Sequence, residues 1–513
     1  MLAKLRSMAV MGIDAYEIGI EADLTDMIPS FTIVGLPDGA VRESRERVAS
    51  AIKNCGFEYP VKKITINMAP ADVKKEGSAF DLPIAIGLLM ASGQAEISSA
   101  QDYIIAGELS LDGGVRHIKG MLSMAICARE LGFKGMVVPR ECAEEAAVAE
   151  GVNIHPVSTL TEALDFLSGA KAIEPFITDL KALFNTARKY SIDFKDVKGQ
   201  EHIKRALLVA AAGGHNIMMI GPPGSGKTML ARRLPTILPD LSLDEALETT
   251  KIHSVAGLLD KNTPLVATRP FRSPHHTVSD AGLIGGGSYP RPGEVSLSHH
   301  GVLFLDELPE FTKNVLENLR QPLEDGKVTI SRALTSLSYP ARFMLAAAMN
   351  PCPCGYYSDP RHDCSCRPEQ IQKYMSRISG PLLDRIDIHV EVPALSYEEL
   401  AAKTPGEDSA TLREKVKAAR AVQLDRFKDE KKIFCNAHME SRHIRAHCGL
   451  DAACETLLKN AVEKLGLSAR AYDRILKVAR TIADLDGKET IGSSHIAEGI
   501  QYRSLDRKLW LGG

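Results

Sequence analysis

The chain has no run of eighteen or more apolar residues, which excludes a membrane-spanning helix of ordinary length and leaves no expected membrane partner. Its first residues, MLAKLRSMAVMG, lack a long apolar core and a small-residue cleavage site, so no secretory signal is expected. Ten cysteines in 513 residues without such a signal imply reduced thiols or metal ligands, not a disulfide framework, and a cytoplasmic protein. A net charge of −3 argues against a globally basic nucleic-acid binder but leaves room for a locally basic channel. There is no internal repeat and no low-complexity region. What is present is ordinary in bulk: 44 % hydrophobic and 25 % charged residues, in a length that suggests about three domains.

Three blocks follow from periodicity. Residues 1–170 alternate short apolar runs with helical stretches; Lys62–Met68 reads as a strand, Leu82–Ala91 as an apolar helix, and 140–170 as helix, loop, short strand and helix. A linker is expected at 171–190. Residues 191–395 alternate strand and helix, which implies a parallel α/β sheet. Residues 396–513 are helical, with expected helices at Tyr397–Leu400, Thr411–Phe427, Ser441–His447, Ala452–Leu465, Ser468–Leu485 and Ser493–Tyr502, and a loose polar stretch at Lys403–Ala410.

The most informative stretch is IMMIGPPGSGKT, Ile217–Thr228. Gly221, Gly226, Lys227 and Thr228 fit G-x-x-x-x-G-K-[ST], and Pro222, Pro223, Gly224 and Ser225 complete the loop. Such glycines let a loop curl so that backbone N–H groups face phosphate oxygens. The lysine reaches the β- and γ-phosphates and the hydroxyl of Thr228 takes a Mg²⁺ position, so ATP with Mg²⁺ is the expected cofactor pair. A buried strand before the loop and a helix after it give the motif its context. Further on, GVLFLDE (Gly301–Glu307) is an apolar run ending in two carboxylates. Asp306 is placed to hold Mg²⁺ and Glu307 to polarise the attacking water.

Other residues are read against blander alternatives. Ala346–Pro351 (AAAMNP) ends a strand in Asn350, which suits a γ-phosphate sensor on a strand between the two already named, or a turn cap before Pro351. In GPLLDRIDI (Gly380–Ile388), Arg385 stands where ring ATPases offer an arginine to the neighbour's γ-phosphate, with Arg377 as second choice and a salt bridge to Asp384 or Asp387 as the alternative. In LSARAYDR (Leu467–Arg474), Arg470 is the candidate second sensor and Arg474 lies one turn on.

Between the carboxylate strand and the Asn350 strand, Lys327–Arg332 and Thr335–Tyr339 alternate like a hairpin, and Lys327 and Arg332 suit DNA phosphates. Thr268–Gly293, with Arg269, Arg272, Gly285–Gly287 and Arg291, reads as a second, mobile insertion; packing between subunits is the alternative for both. Cys352, Cys354, Cys364 and Cys366 form two C-x-C pairs that could close a structural Zn²⁺ site, with His362 as a substitute ligand. The His275–His276 and His299–His300 pairs read as ordinary polar residues.

These motifs, together with VGLPDGAVRESRERV (Val34–Val48), PADVKKEGSAFDLP (Pro70–Pro83), NPCPCG and LSARAYDRILKVARTIADL, make nearly the whole chain resemble the ComM/YifB family of magnesium-chelatase-like AAA+ ATPases. The resemblance implies an α/β protein with an N-terminal Lon protease-like α+β domain, a P-loop AAA+ parallel-sheet core and a C-terminal helical lid. It also implies a homo-hexameric ring that moves on single-stranded and branched DNA, branch migration in homologous recombination and natural transformation, and recombination proteins as partners. Aligned on Lys75–Gly77, the place of a Lon serine falls at Ala79, with Ser78 one residue out. Aligned on Gly107–Gly120, the place of the partner lysine falls near Leu122, with Lys119 out of register, so the domain reads as non-proteolytic. Three classes compete: a DNA motor, a chelatase-type subunit that remodels a partner protein, and an ATP-dependent protease.

Overall fold

The computed structural model describes residues 2–186, 190–259, 263–287, 290–331, 336–357, 359–394, 406–430, 433–503 and 505. The chain folds as two compact units, residues 1–188 with 243–267, and residues 189–242 with 268–513.

In the first unit, β1 (Leu2–Met11) and β2 (Asp14–Thr25) form a long antiparallel pair. Around them stand β3 (Ser30–Val34), β4 (Lys63–Ala69), β5 (Tyr103–Ile105), β6 (Gly135–Pro139) and β7 (Asn153–Val157), in the order β3-β4-β2-β1-β5-β6-β7. β4 shows why the alternation in Lys62–Met68 encodes a strand: Ile64, Ile66 and Met68 are buried and their neighbours are not. Helix Asp81–Ala91 is apolar on all sides and is buried nearly throughout, as such a helix must be. Residues 140–167 run as a short helix, loop, strand and helix, in the expected order.

Residues 243–267 fold with this unit although they lie inside the block that alternates strand and helix. Helix Leu243–Ala256 buries Ala246 and Ile252, and its Ser254 hydroxyl donates to the Glu145 carboxylate, which also accepts from the Leu122 N–H at 2.9 Å.

The second unit is built on five parallel strands: β8 (Ile217–Ile220), β9 (Phe271–Arg272), β10 (Val302–Leu305), β13 (Met344–Met349) and β14 (Ile388–Glu391). Between β10 and β13 in sequence lies the hairpin of β11 (Lys327–Ser331) and β12 (Ser336–Pro340). The sheet order is β9-β10-β13-β8-β14. β8, β10 and β13 are buried at every position, as strands covered on both faces require. Arg332 and Thr335 lie outside the described residues, as does the expected helix Tyr397–Leu400.

The helical region has Ser409–Arg426, Ser441–His447, Ala452–Leu465, Ala469–Leu485 and Ser493–Gln501. Ser468 caps its helix, accepting from the Ala471 N–H at 3.2 Å. Phe427, Ile444, Leu458, Ile475 and Ile496 pack together as the core of this region. The protein is thus an α/β chain with a mixed-sheet N-terminal unit, a parallel-sheet core and a helical C-terminal region.

Candidate nucleotide site

In an open parallel sheet the ligand lies off the carboxyl ends of the strands. There β8 delivers the Gly221–Gly226 loop, β10 delivers Asp306 and Glu307, and β13, lying between them, delivers Asn350. The loop depends on glycine in two ways. Gly224 and Gly226 have φ of +76° and +90°, and a Cβ on Gly221 would come within 2.1 Å of the Val392 carbonyl oxygen. Helix Lys227–Ile237 starts at the end of this loop, so its first N–H groups, without intrahelical acceptors, are aimed where phosphates would sit.

The side chains converge. Lys227 Nζ donates to the carbonyl oxygens of Gly221 (2.7 Å) and Pro222 (2.9 Å), to Ser225 Oγ (3.5 Å) and to Asn350 Oδ1 (3.2 Å). Burial lowers its pKa to about 8, against the opposing pull of Asp306 and Glu307. Thr228 Oγ1 donates to Asp306 Oδ2 at 2.6 Å, so a hydroxyl and a carboxylate stand together as the hard oxygen donors Mg²⁺ takes. Glu307 has φ +53°, a conformation unusual outside glycine, and its N–H donates to Asp306 Oδ1 at 3.0 Å. Its carboxylate, 57 % exposed, lies 3.3 Å from His276 Nδ1. The sequence treats His276 as an ordinary polar residue; nothing in local spacing signals a partner thirty-one residues away. Gln200 carries no local signal in the sequence; its amide donates to the Ser225 carbonyl oxygen at 2.9 Å and so braces the loop.

The arginines stand apart from this cluster. Arg385 is 7 % exposed; it pairs with Glu324, donates to the Pro381 carbonyl oxygen, and its Nε has no hydrogen-bond partner. Arg377 pairs with Glu310 at 2.8 Å, and the exposed Arg470 with Asp384 at 3.5 Å. None of their described bonds goes to the P-loop. Arg474 pairs with buried Asp387, which accepts from the Asn216 N–H at 3.1 Å and faces His215 Nδ1 at 3.4 Å. Burial pushes the Asp387 carboxyl up, but Arg474 and His215 outweigh it and hold it well below the usual carboxylate range.

The cysteines assemble two residues beyond Asn350. Sγ of Cys352 lies 3.3 Å from that of Cys354 and 3.7 Å from that of Cys364; Cys354 and Cys364 are 3.6 Å apart. With Cys366 the four sulfurs lie within 4.8 Å of one another. Thiolates around zinc at about 2.3 Å would be separated by about 3.8 Å, so the donor set fits. The Tyr356 N–H pulls the Cys354 thiol down to about 5. His362 is turned to Asp359 and Tyr356. Gly355, in the same turn, abuts the P-loop: a Cβ there would come within 2.5 Å of Pro223.

In the first unit, Ser78 Oγ donates to the Glu108 carboxylate, Ala79 and Leu122 are buried, and Lys119 packs on Gly257. No described bond joins Ser78 to a lysine.

The comparisons agree with this architecture. Residues 193–400 match the family model for "Magnesium chelatase, subunit ChlI", residues 20–142 that for "Subunit ChlI of Mg-chelatase", and residues 406–503 that for "Magnesium chelatase, subunit ChlI C-terminal". The chain is 45 % identical to "Competence protein ComM" of Haemophilus influenzae and 45 % identical to "Uncharacterized protein YifB" of Escherichia coli, in each case over 99 % of this chain and 98 % of the relative. It is 23 % identical to the magnesium-chelatase 38 kDa subunit of Rhodobacter capsulatus over 59 % of this chain and 84 % of that protein. No described helix is long and apolar enough to cross a membrane. Full-length identity at this level, over a site equipped for ATP and Mg²⁺, makes the chain a member of the ComM/YifB family of magnesium-chelatase-like AAA+ ATPases.

Proposed function

We propose that this chain is the subunit of a cytoplasmic homo-hexameric motor that hydrolyses ATP to move on DNA. Its task is branch migration and unwinding in homologous recombination, including that of DNA taken up in natural transformation, alongside other recombination proteins. The P-loop N–H groups and Lys227 hold the phosphates, Asn350 orients the γ-phosphate and Glu307 takes the proton of the attacking water. Thr228 and Asp306 would hold Mg²⁺, which supplies charge neutralisation on the phosphate oxygens. Arg385 serves the triphosphate of the next subunit and Arg470 reaches back to the nucleotide, roles that need a ring. Cys352, Cys354, Cys364 and Cys366 hold a structural Zn²⁺.

The observation that carries the DNA reading is the β11–β12 hairpin, inserted between the Asp306 strand and the Asn350 strand, with Lys327 and Thr329 exposed along it. A relative called a competence protein supports the same reading. The second reading, a chelatase-type subunit acting on a partner protein, draws on the family models.

Branch migration of three-stranded and forked DNA by the purified chain, with and without ATP, tests the proposal. The motor needs no partner protein to do this; a chelatase-type subunit does nothing. Replacing Lys327 and Arg332 together should weaken binding to all DNA sequences alike and flatten its salt dependence by a slope of up to about two. It should cut branch migration further than binding while DNA-independent turnover survives. Wild-type migration by an assembled double variant would remove the hairpin from the DNA path.

A further inference from the structure

Arg385 is held in an unusual way. Its guanidinium is buried, yet it is bound by a carboxylate that is not: the Glu324 side chain is 58 % exposed. The remaining bonds are incomplete, since Nη1 uses one carbonyl oxygen and Nε none. A buried charged donor left open favours any state in which it finds an acceptor. Glu324, being largely solvated, gives up little on release. The pair is therefore a catch with one costly end and one cheap end.

The position of Glu324 says what works the catch. It lies on helix Arg320–Asp325, which ends at Gly326 (φ +63°), and the next residue is Lys327, the first of β11. The hairpin root is closed by the Ala341 N–H to the Gly326 carbonyl oxygen at 2.9 Å, and five residue pairs keep the two strands in register. Val328, Ile330 and Tyr339 are buried, and the Tyr339 hydroxyl donates to the Pro290 carbonyl oxygen (2.7 Å), so the paired strands Lys327–Ser331 and Ser336–Pro340 move as a unit. A pull on the exposed face of β11 reaches Glu324 through Asp325 and Gly326.

We propose that Glu324 is a positioning residue that restrains Arg385, and that strain on the Lys327–Pro340 hairpin from a bound polyanionic strand releases it. The freed guanidinium exchanges one carboxylate for the more highly charged triphosphate of the adjoining subunit. The proposal rests on the reading of Arg385 as the arginine acting across the subunit boundary. A ligand shifts such an equilibrium only by binding the two states differently. Here the difference is the hairpin position that phosphate contacts favour.

The test uses full-length rings, checked by light scattering, with a poly-dT oligonucleotide as the probe. Glu324→Gln should raise ATP turnover without DNA by about tenfold, the worth of one hydrogen bond between charged groups. It should leave the KM for ATP unchanged and bring the ratio of turnover with and without DNA close to one. Glu324→Asp, which keeps the charge but is one methylene shorter, should raise basal turnover by about threefold and keep part of the stimulation. It carries the test if Glu324→Gln does not assemble. Unchanged basal turnover and unchanged DNA stimulation in the assembled variants overturn the proposal, and so does a fall in turnover, which would make Glu324 a helper and not a restraint. Arg385→Ala separates the two layers: if it retains turnover, the underlying reading of Arg385 fails whatever Glu324 does.

Discussion

Each of the two units contains a buried lysine bonded to backbone carbonyls, and only one of them has the surroundings of a working site. Lys75 in the first unit is fully buried; its ammonium donates to the carbonyl oxygens of Pro70 and Val73, and Asp72 pulls its pKa up against burial. Lys227 in the second unit also donates to two carbonyl oxygens, but Ser225 and Asn350 share it, and Asp306 and Glu307 lie close by. Burial lowers both amines. The difference lies in what each can exchange. Lys75 ties off its own loop. Lys227 is parked on a glycine loop at the head of an eleven-residue helix, where incoming phosphates would displace carbonyls as acceptors. A perturbed amine alone marks burial; a perturbed amine among convergent groups from three strands marks chemistry.

The sharpest way to break this comparison is to remove the second unit's cations. Lys227→Ala and Arg385→Ala should each cut turnover by about 10³-fold or more, Lys227→Ala through nucleotide binding and Arg385→Ala with binding intact. Mixed with each other, the two variants should regain activity at interfaces where an intact P-loop meets an intact Arg385. Equal-ratio mixing followed by steady-state ATPase assay checks this, and a fully active monomer at working concentration would contradict it.

Arg474→Ala comes next. It leaves Asp387 buried beside His215 without its main counter-charge, which should cost about 3–5 kcal/mol and lower the unfolding temperature of the second unit. Thermal unfolding with and without nucleotide measures it.

A smaller effect should appear in pH dependence. The free Lys227 amine titrates at about 8, and bound phosphates would raise its pKa. The bound state then holds more proton than the free state. ATP affinity should therefore be full below pH 8, fall as pH rises through 8, and level off above the pKa of the bound state. Calorimetry at pH 8.5 in buffers of different ionisation enthalpy should register proton uptake on binding.

The smallest effect belongs to the first unit: Lys75→Met should leave ATP turnover within about twofold of wild type, since its donors serve only their own loop. A large loss would show that the first unit contributes to the nucleotide site.

Much of this was legible in the sequence because it is local. The P-loop, GVLFLDE and AAAMNP announce buried strands that end in polar groups, and the alternation in Lys327–Arg332 and Thr335–Tyr339 gives the hairpin its strands. Helical spacing located the lid, and Ser468 marked one helix start to within a residue. What escaped is non-local. Residues 243–267 interrupt the nucleotide block without any shift in composition, yet fold with the first unit. His276 with Glu307, Glu324 with Arg385 and Gly355 against Pro223 join residues that share no period, so only the folded chain reveals them. For Arg385 the sequence offered Asp384 or Asp387 as salt-bridge partners, and the structure supplies Glu324 instead.

The measurement that bears most directly on the central claim is Glu307→Gln, assayed for ATP retention and turnover in one preparation. The substitution keeps the size of the side chain and removes only its ability to take a proton. The account predicts ATP bound as tightly as by wild type and turnover reduced by about 10²–10⁴-fold, the range for loss of a general base. Wild-type turnover in that variant would contradict it and place the chemistry elsewhere in the chain.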